Sequence, residues 1–385
     1  MLPCQRYRFQ LPPHLHYLNC AYMAPLAREV EEAGLRGMAR RRDPSKIVND
    51  DFFVEVDALR ERFARLIGSS DPRRVAIIPA VSYGIATAAR NVPVESGQNI
   101  VILGEQFPSN VYAWMRKARE SGAELRVVER TARGRPTPGA SWNRRLLRAI
   151  DRNTAAVATP VVHWADGTRF NVAAIGRRAR AMGAAFVIDG TQSIGAMPFD
   201  VEKVAPDALV VAAYKTLFGP YQSGLAWFGE RFDDGEPLEE PWAGREGSSR
   251  FVAGQINYVE SYRPGAARYD VGERSNQIQV PMLNTALDMV LEWGPDRVQE
   301  YCANLLEPFE DVFREAGFEL EDRAWRGAHL FGLRSSRGLD MDKVAEALQR
   351  DGVYVSVRGT AVRVSPQVYN DRADLDALAA SLRSL

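Results

Sequence analysis

Residues 184–192, AAFVIDGTQ, and residues 208–216, ALVVAAYKT, decide the fold. Each begins with an apolar run short enough for a buried strand, and a charged side chain follows the run. Similar runs alternate with amphipathic helical patterns along the preceding chain, at 75–79, 99–103, 125–128 and 155–162. This alternation predicts an α/β domain with a largely parallel sheet. Residues 222–228 are expected to add an antiparallel strand.

The helical patterns and a change of pattern near residue 280 predict the domain organisation. Helices are predicted at 24–42, 50–67, 84–90, 109–121, 142–151 and 172–182. After the polar stretch 229–276 come a long helix, two strands and a final helix, predicted at 283–305, 353–357, 361–365 and 372–382. We therefore expect a large α/β domain over 21–279. Residues 1–20 and 280–385 are expected to form a small α+β domain.

The composition of the chain excludes several classes of protein. The 385 residues are 46% hydrophobic and 25% charged, as in globular proteins, with a formal net charge of +0. Such a chain has no overall field to attract nucleic acid or an anionic membrane. Cys4, Cys20 and Cys302 lie far apart without the spacing of a metal site, so no metal is expected. A cytoplasmic location is predicted from the absence of an apolar leader or long apolar run.

Chemistry is expected where the parallel strands end, because ligands of such sheets bind beyond the carboxyl ends of the strands. Asp189 follows one apolar run, where it could face a ligand or cap the next turn. Lys215 follows another, between apolar neighbours that would lower its pKa and favour Schiff-base formation. Ser82 opens a predicted helix, where it could bind phosphate or act as a simple N-cap.

Together these three features fit one cofactor better than any one of them does alone. Pyridoxal 5'-phosphate requires a lysine for a Schiff base, an acid against the pyridine nitrogen and a cradle for its phosphate. The chain has only five lysines, and Lys215 is the one that lies between apolar neighbours. No GxGxxG or Walker A sequence is present, which disfavours a nucleotide-dependent oxidoreductase.

The chain resembles the class V aminotransferase family of fold-type I pyridoxal-phosphate enzymes, in the branch of cysteine desulfurases and isopenicillin N epimerase-like proteins. The resemblance covers nearly the whole chain, through YLNCA at 17–21, EQFPSN at 105–110, HWADG at 163–167, VIDGTQ at 187–192, YKTLFGP at 214–220 and RVSPQVYN at 363–370. It implies a large domain with a mainly parallel, seven-stranded sheet and a small C-terminal α+β domain.

The resemblance also implies roles for individual residues. Lys215 matches the catalytic lysine that forms the Schiff base, and Asp189 matches the partner of the pyridine nitrogen. The other implied cofactor contacts are Gln192 and Asp166 at the phenolic oxygen, Ser82, Tyr83 and Tyr214 at the phosphate, and Phe107 stacked on the ring.

Further roles concern the substrate and a neighbouring subunit. Arg363 matches the arginine that binds the substrate carboxylate, and His163 is expected to line the substrate pocket. The loop 268–276 resembles one that reaches the cofactor of a neighbouring subunit, which implies a homodimer and a phosphate contact by Ser275 or Arg274. The candidate positions for substrate specificity are Tyr22, Trp114, His163, Trp164 and Arg358.

One departure from the desulfurase pattern limits the reaction. Desulfurases carry a nucleophilic cysteine shortly before the carboxylate-binding arginine, whereas residues 356–363, SVRGTAVR, contain none. We therefore expect an enzyme that acts on an amino-acid-like substrate, and the reaction that we favour is that of an aminotransferase. The alternatives are a lyase or an epimerase or racemase, which could be a tailoring enzyme of natural-product synthesis, and an inactive scaffold homologue.

Overall fold

A computed structural model describes residues 2–130, 138–249 and 258–385. Residues 250–257 of the predicted polar stretch lie outside the described residues. The strands are β1 (His16–Tyr17), β2 (Val75–Ile78), β3 (Asn99–Leu103), β4 (Glu124–Val128), β5 (Thr154–Pro160), β6 (Ala185–Asp189), β7 (Ala208–Ala212), β8 (Gly224–Phe228), β9 (Phe318–Glu319), β10 (Phe331–Ser335), β11 (Val353–Tyr354), β12 (Ser356–Arg358) and β13 (Ala361–Val364).

The α-helices follow the same chain order. They are α1 (Arg28–Arg40), α2 (Val54–Ile67), α3 (Val81–Asn91), α4 (Tyr112–Ser121), α5 (Pro138–Ala149), α6 (Val172–Ala181), α7 (Val201–Val204), α8 (Gln279–Trp293), α9 (Pro295–Leu306), α10 (Glu310–Glu315), α11 (Met341–Arg350) and α12 (Arg372–Arg383). None of the helices in the described part of the chain is long and apolar enough to cross a membrane.

The main sheet has seven strands among the described residues, in the order β2-β8-β7-β6-β5-β3-β4. β8 runs antiparallel to both of its neighbours, and all other adjacent pairs are parallel. The mainly parallel α/β fold is therefore confirmed, and so is the antiparallel strand predicted at 222–228. The runs are continuously apolar because the sheet is covered on both faces, and every residue of β5, β6, β7 and β8 is buried.

Successive residues of the strands pack into two different helical layers. Val187 and Val210 belong to a core shared with α3 and α4, whereas Phe186 and Leu209 belong to a core shared with α2, α5, α6 and α8. Trp114 of α4 is fully buried in the first of these cores. Its prediction as a specificity position is wrong, because its side chain is used for packing.

The C-terminal part of the chain builds a second sheet around its own core. Its four strands are antiparallel, in the order β12-β13-β10-β9, and α10, α11 and α12 contribute to the core beside them. β1 pairs in parallel with β11 of this region. The predicted domain boundaries at 20 and 280 stay a prediction.

The long helix predicted at 283–305 is two helices, α8 and α9. Gly294 separates them with a φ of 74°, and Pro295 opens α9. Proline lacks the N–H that a continuous helix would need there, and glycine accepts the left-handed backbone conformation at little cost. The apolar period continues across the break, which explains why the pattern indicated a single helix.

Candidate active site

A cavity of about 300 Å³ opens where the central strands end. Its wall includes residues that directly follow β2, β3, β6 and β7, and residues that precede β8. Strands that run in the same direction bring their carboxyl ends to one edge of the sheet, so residues far apart in sequence meet there. Of the predicted site residues, the cavity wall contains Ser82, Phe107, Trp164, Asp189, Gln192, Tyr214 and Lys215.

Lys215 lies in the turn that follows β7, and its side chain is buried in the cavity wall. The pKa of Lys215 is lowered to about 8, mainly by burial and in smaller part by the positive charges of Arg363 and Arg358. Asp189 opposes this shift. Nζ lies 5.2 Å from the centre of the Phe107 ring. At pH 7 about one tenth of such an amine is neutral, far more than of an ordinary lysine, and the neutral form is the one that acts as a Schiff-base nucleophile.

Asp189 is the last residue of β6 and is also buried. Burial raises the pKa of its carboxyl group, while the hydroxyl and the N–H of Thr191 and the charge of Lys215 lower it. The N–H of Thr191 donates to Oδ1 at 3.0 Å. A carboxylate held in this way favours a positively charged or N–H-bearing partner within the cavity.

Two threonines connect the turn after β6 to the turn after β7. The N–H of Ala212 donates to Oγ1 of Thr191 at 3.1 Å, and the Thr216 hydroxyl donates to the Ile194 carbonyl at 2.6 Å. Thr216 also lies 3.2 Å from the Thr191 carbonyl oxygen. These contacts fix the relative positions of the turns that carry Asp189 and Lys215. Neither threonine was predicted to matter.

The first turn of α3 forms one end of the cavity. Ala80, Val81 and Ser82 line it, and the Ala80 side chain cannot cap the helix. Gly84 in the same helix lets α3 lie close to the sheet, since a Cβ there would come 2.7 Å from Val210. The free N–H groups and dipole of a helix N-terminus favour an anion, and Ser82 adds a hydroxyl.

Aromatic rings form another part of the cavity wall. The rings of Phe107 and Trp164 meet edge to face, with centroids 5.4 Å apart, and the indole N–H of Trp164 donates to the Glu105 carbonyl at 2.7 Å. Tyr214 lies against Tyr221, with centroids 4.7 Å apart. Burial raises the pKa of Tyr214, so its hydroxyl keeps its proton at neutral pH. These rings offer a flat apolar surface beside Lys215.

Gln192 joins the cavity to the N-terminal segment. Its side-chain amide donates to the Ala21 carbonyl at 3.1 Å, and its own backbone carbonyl lies 2.7 Å from Nε2 of His329. Burial lowers the pKa of His329 to about 4, so this imidazole is neutral at physiological pH. The neutral ring is a hydrogen-bond donor at one nitrogen only, which suits a contact to a carbonyl.

Arg363 lies behind Trp164 rather than in the cavity wall itself. Its guanidinium donates to the Trp164 carbonyl at 3.0 Å and to the Ser356 hydroxyl at 3.1 Å, and it lies 3.4 Å from Oδ1 of Asn19. Burial lowers its pKa to about 10, and Arg358 adds to this shift. Three neutral oxygens orient this buried cation, which retains binding capacity for a carboxylate.

The structure does not bring Asp166 or His163 to the cavity wall. Arg130 forms an ion pair with Asp166, and Arg334 donates to its Oδ2 at 2.6 Å. The imidazole of His163 packs on Trp142 with centroids 5.0 Å apart, and burial lowers its pKa. Both side chains therefore lie outside the cavity wall, with Asp166 already paired to two arginines, and the predicted cofactor contact of Asp166 and substrate contact of His163 stay predictions.

Four other predicted positions also lie outside the cavity wall of their own chain: Tyr22, Tyr83, Ser275 and Arg358. The backbone N–H of Tyr83 donates to the Ala80 carbonyl at 3.1 Å, and burial raises the pKa of the Tyr83 hydroxyl. That N–H is therefore engaged within the helix and disagrees with a phosphate contact. Ser275 lies in the loop before α8, where its predicted contact to a neighbouring subunit stays a prediction. Tyr22 is exposed.

The cavity also contains residues for which the sequence analysis assigned no role. Gln106, Ser109, Tyr221, Gln222 and Ser223 contribute to its wall. Gln106 and Ser109 flank Phe107 in the quoted EQFPSN motif, so their position after a strand was a usable signal. Gln222 has a φ of 61°, an uncommon backbone conformation for a residue with a side chain. No local pattern predicts that Tyr221, Gln222 and Ser223 return to the cavity.

The arrangement fits pyridoxal phosphate on structural grounds. A partly neutral lysine, a buried carboxylate, a flat aromatic ring and an uncapped helix N-terminus surround one cavity. These groups match the aldehyde, pyridine nitrogen, ring face and phosphate of that cofactor, respectively. The chemistry of the donor set therefore agrees with the cofactor predicted from the sequence.

Comparison with known proteins places most of the chain in one family. The family model for aminotransferase class V matches residues 43–380. An uncharacterised aminotransferase of Bacillus subtilis is 23% identical over 317 residues, which cover 82% of this chain and 80% of that protein. A cysteine desulfurase of an Enterobacter species is 25% identical over 299 residues, which cover 76% and 71% of the two chains.

Solved structures agree in fold. The cysteine desulfurase CsdA of Escherichia coli has a TM-score of 0.83 at 17% identity, with 98% of this chain and 96% of that chain covered. A C-DES variant with glycine covalently linked to its pyridoxal phosphate has a TM-score of 0.84 at 16% identity, with 99% of each chain covered. From the family match over most of its length, we conclude that the chain belongs to the class V aminotransferases, a family of pyridoxal-phosphate-dependent enzymes.

Proposed function

We propose that this enzyme is an aminotransferase that acts on an amino-acid substrate and binds pyridoxal phosphate through Lys215. The position of Lys215 carries the proposal: its amine lies in the cavity wall beside Phe107, and burial lowers its pKa to about 8. The same amine, once it is released from the cofactor, can accept and return a proton close to neutral pH.

The other groups of the cavity have complementary roles in the proposal. The first turn of α3, with Ser82, would hold the phosphate, and Asp189 would hold the pyridine nitrogen. Phe107 would cover one face of the ring and exclude water, and Arg363 would bind the substrate carboxylate. When bound, pyridoxal phosphate supplies an electron sink for the bonds at the substrate α-carbon. Gln192 and Tyr214 remain proposed cofactor contacts from their place in the wall.

A sulfur-transfer reaction of the desulfurase type is less well supported. Residues 356–363, where desulfurases have their cysteine loop, form β12, a turn and β13. Cys20 is buried within electrostatic range of Lys215 and Arg363, a proximity that the sequence analysis missed. Burial nevertheless raises the pKa of Cys20 to about 12, so it is a thiol rather than a nucleophilic thiolate at neutral pH.

We also propose that the enzyme is a homodimer. Large apolar side chains are exposed on the outer face of α1 at Leu35 and Met38, and Tyr221 is exposed at the cavity. The side chain of Gln279, at the start of α8, donates to the Tyr221 carbonyl at 3.1 Å, so the loop with Ser275 lies near this cavity. Sedimentation velocity at micromolar concentration tests this: a single species at the monomer mass would contradict it. The cytoplasmic location and the absence of nucleic-acid and membrane partners stay predictions.

The absorbance spectrum of the purified protein with added pyridoxal phosphate tests the proposed reaction. We expect a visible band that specific amino acids convert to the shorter-wavelength pyridoxamine form with release of a keto acid. A band that no amino acid converts to the pyridoxamine form would instead favour a lyase, epimerase or racemase, because these reactions return the cofactor to its starting form. Absence of any band would leave the scaffold alternative.

A further inference from the structure

Arg358 and Arg363 lie on the same face of the small sheet. In the antiparallel pair of β12 and β13, Arg363 is opposite Ser356 and Arg358 is opposite Ala361. Opposed residues of such a pair point to the same side, and so do residues two apart along a strand. The register therefore places both guanidinium groups on one side of this hairpin.

Both guanidinium groups rest against the same side chain of the cavity wall. The centre of the Trp164 ring lies 5.5 Å from Cζ of Arg358 and 6.0 Å from Cζ of Arg363. Trp164 lines the cavity together with Lys215 and Phe107. The two arginines therefore lie directly behind one wall of the site, and the lowered pKa of Lys215 reflects the charge of both.

No carboxylate of the described residues neutralises either arginine. The hydrogen bonds of Arg363 go to neutral oxygens of Trp164, Ser356 and Asn19, and Nη1 of Arg358 donates only to the Val357 carbonyl, at 3.0 Å. Nε of each is buried without a hydrogen-bond partner among the described residues. Two neighbouring cations with unsatisfied donors favour the binding of anions.

The two arginines differ in how firmly they are held. Three neutral oxygens contact the two Nη atoms of Arg363, which suits the fixed position of an α-carboxylate that every amino-acid substrate has in common. Arg358 contacts the Trp164 ring and the carbonyl of its own neighbour, and it is only partly buried. Its side chain can turn toward a group whose position depends on the substrate.

From these contacts we infer that the substrate is an acidic amino acid, whose side-chain carboxylate binds Arg358 while its α-carboxylate binds Arg363. This inference rests on the proposed function and adds the substrate class. A neutral amino acid supplies one negative charge to a site with two unpaired guanidinium groups. An amino dicarboxylate supplies two, and each planar guanidinium can bind a carboxylate with two parallel hydrogen bonds.

The test compares acids with their isosteric amides on the holoenzyme. L-Aspartate is compared with L-asparagine and L-glutamate with L-glutamine, through the concentration that gives half of the change in cofactor absorbance. We expect the wild-type enzyme to bind one acid at least about 10-fold more tightly than its amide. In Arg358→Gln this ratio should fall close to one, and Arg358→Lys should retain part of it. Arg350→Gln, at an exposed arginine paired with Asp351, is the control and should keep the full preference.

A second measurement does not depend on turnover or on the cofactor spectrum. Titration calorimetry with succinate and glutarate, against propionate and butyrate, should show the same preference for two carboxylates and the same loss in Arg358→Gln. Equal binding of acids and amides by the wild-type enzyme, or an unchanged preference in Arg358→Gln, would overturn the inference. If the cofactor band responds to amino acids without regard to side-chain charge, only this inference fails. If no cofactor band forms, the proposed function fails.

Discussion

Asp189 ends β6 and Lys215 follows the neighbouring parallel strand β7, and each partly offsets the effect that burial has on the pKa of the other. Burial raises the pKa of Asp189 and lowers that of Lys215, whereas their mutual attraction acts in the opposite direction on both. Asp189 is opposite Val210 in the pairing of β6 with β7. The backbone register therefore fixes a pair of charges that bears on the reactivity of the lysine.

Replacement of Lys215 by alanine should abolish covalent capture of the cofactor. Borohydride reduction of the wild-type protein with pyridoxal phosphate should fix one cofactor to Lys215, because a neutral buried amine forms the Schiff base. Mass spectrometry of peptides measures the modified site. Lys203→Ala is the control, since Lys203 is exposed and paired with Asp200. A cofactor still trapped in Lys215→Ala would show that another lysine is used.

The lowered pKa of Lys215 predicts that it reacts at lower pH than other lysines. Burial disfavours the charged form, so the amine of the cofactor-free protein should lose its proton as the pH rises through about 8. Asp200 raises the pKa of Lys203, which provides an internal reference. Trace acetylation at a series of pH values, read by mass spectrometry, should give a midpoint near 8 for Lys215 and a much higher one for Lys203. Coincident midpoints would contradict the shift.

Replacement of Asp189 by asparagine should lower the acetylation midpoint of Lys215 still further. The carboxylate at present raises the pKa of Lys215, and the amide carries no charge to do so. We also expect turnover of the best amino acid to fall by about 100-fold or more, since a preorganised charge in a buried site is lost. Covalent capture of the cofactor by Lys215 is the control for folding. An unchanged midpoint would mean that the two groups do not interact.

Replacement of Arg363 by glutamine should weaken binding of all amino acids with a free carboxylate. The loss of a charge-assisted contact corresponds to a factor of about 10 to 100 in affinity. It is measured as the concentration of amino acid that half-saturates the spectral change of the cofactor. Primary amines that lack the carboxylate serve as controls and should bind as they do to the wild-type protein. Equal weakening of amines and amino acids would indicate a general distortion of the site.

Gly332 should be intolerant of a side chain. It is opposite Arg363 in the pairing of β10 with β13, and a Cβ there would come 2.8 Å from Cβ and 3.2 Å from Cα of Asp166. Gly332→Ala should therefore lower the free energy of unfolding by about 1 to 3 kcal/mol, measured by urea denaturation. At Gly244 the nearest atom to an added Cβ is 3.4 Å away. Gly244→Ala should change stability by less than about 0.5 kcal/mol.

Much of the large sheet was predictable because its strands are covered on both faces. Buried strands such as β6 and β7 are continuous apolar runs; Asp189 is the last residue of β6, and Lys215 lies three residues after β7 ends. β9, β10 and α11 were missed. β10 is buried over its first three residues and half-buried over its last two, without alternation, and β9 has only two residues, so neither has a distinctive local pattern. The Gly294-Pro295 pair is a local signal for a helix break, but the apolar period continues across it and so predicted one helix.

The unexpected positions at the site have a different physical origin. Asp166 and His163 follow a strand that ends at the cavity, so a position in the wall was a reasonable expectation. Outside the cavity wall, Asp166 contacts Arg334, which lies 168 residues away in sequence. Likewise, the proximity of Cys20 to Lys215 and the approach of Arg358 to Trp164 depend on how distant segments pack. Local patterns carry no information about such pairs.

Because Arg358 and Arg363 share one face of the hairpin of β12 and β13, a small change in the length of this hairpin can separate them. Their side chains share a face because of the register of the pair. A single-residue insertion within β12 that shifts Arg358 by one position would turn it to the opposite face while Arg363 stayed in place. Under the proposed role of Arg358, one insertion or deletion in this hairpin would change the charge of the preferred substrate without any substitution in the cavity.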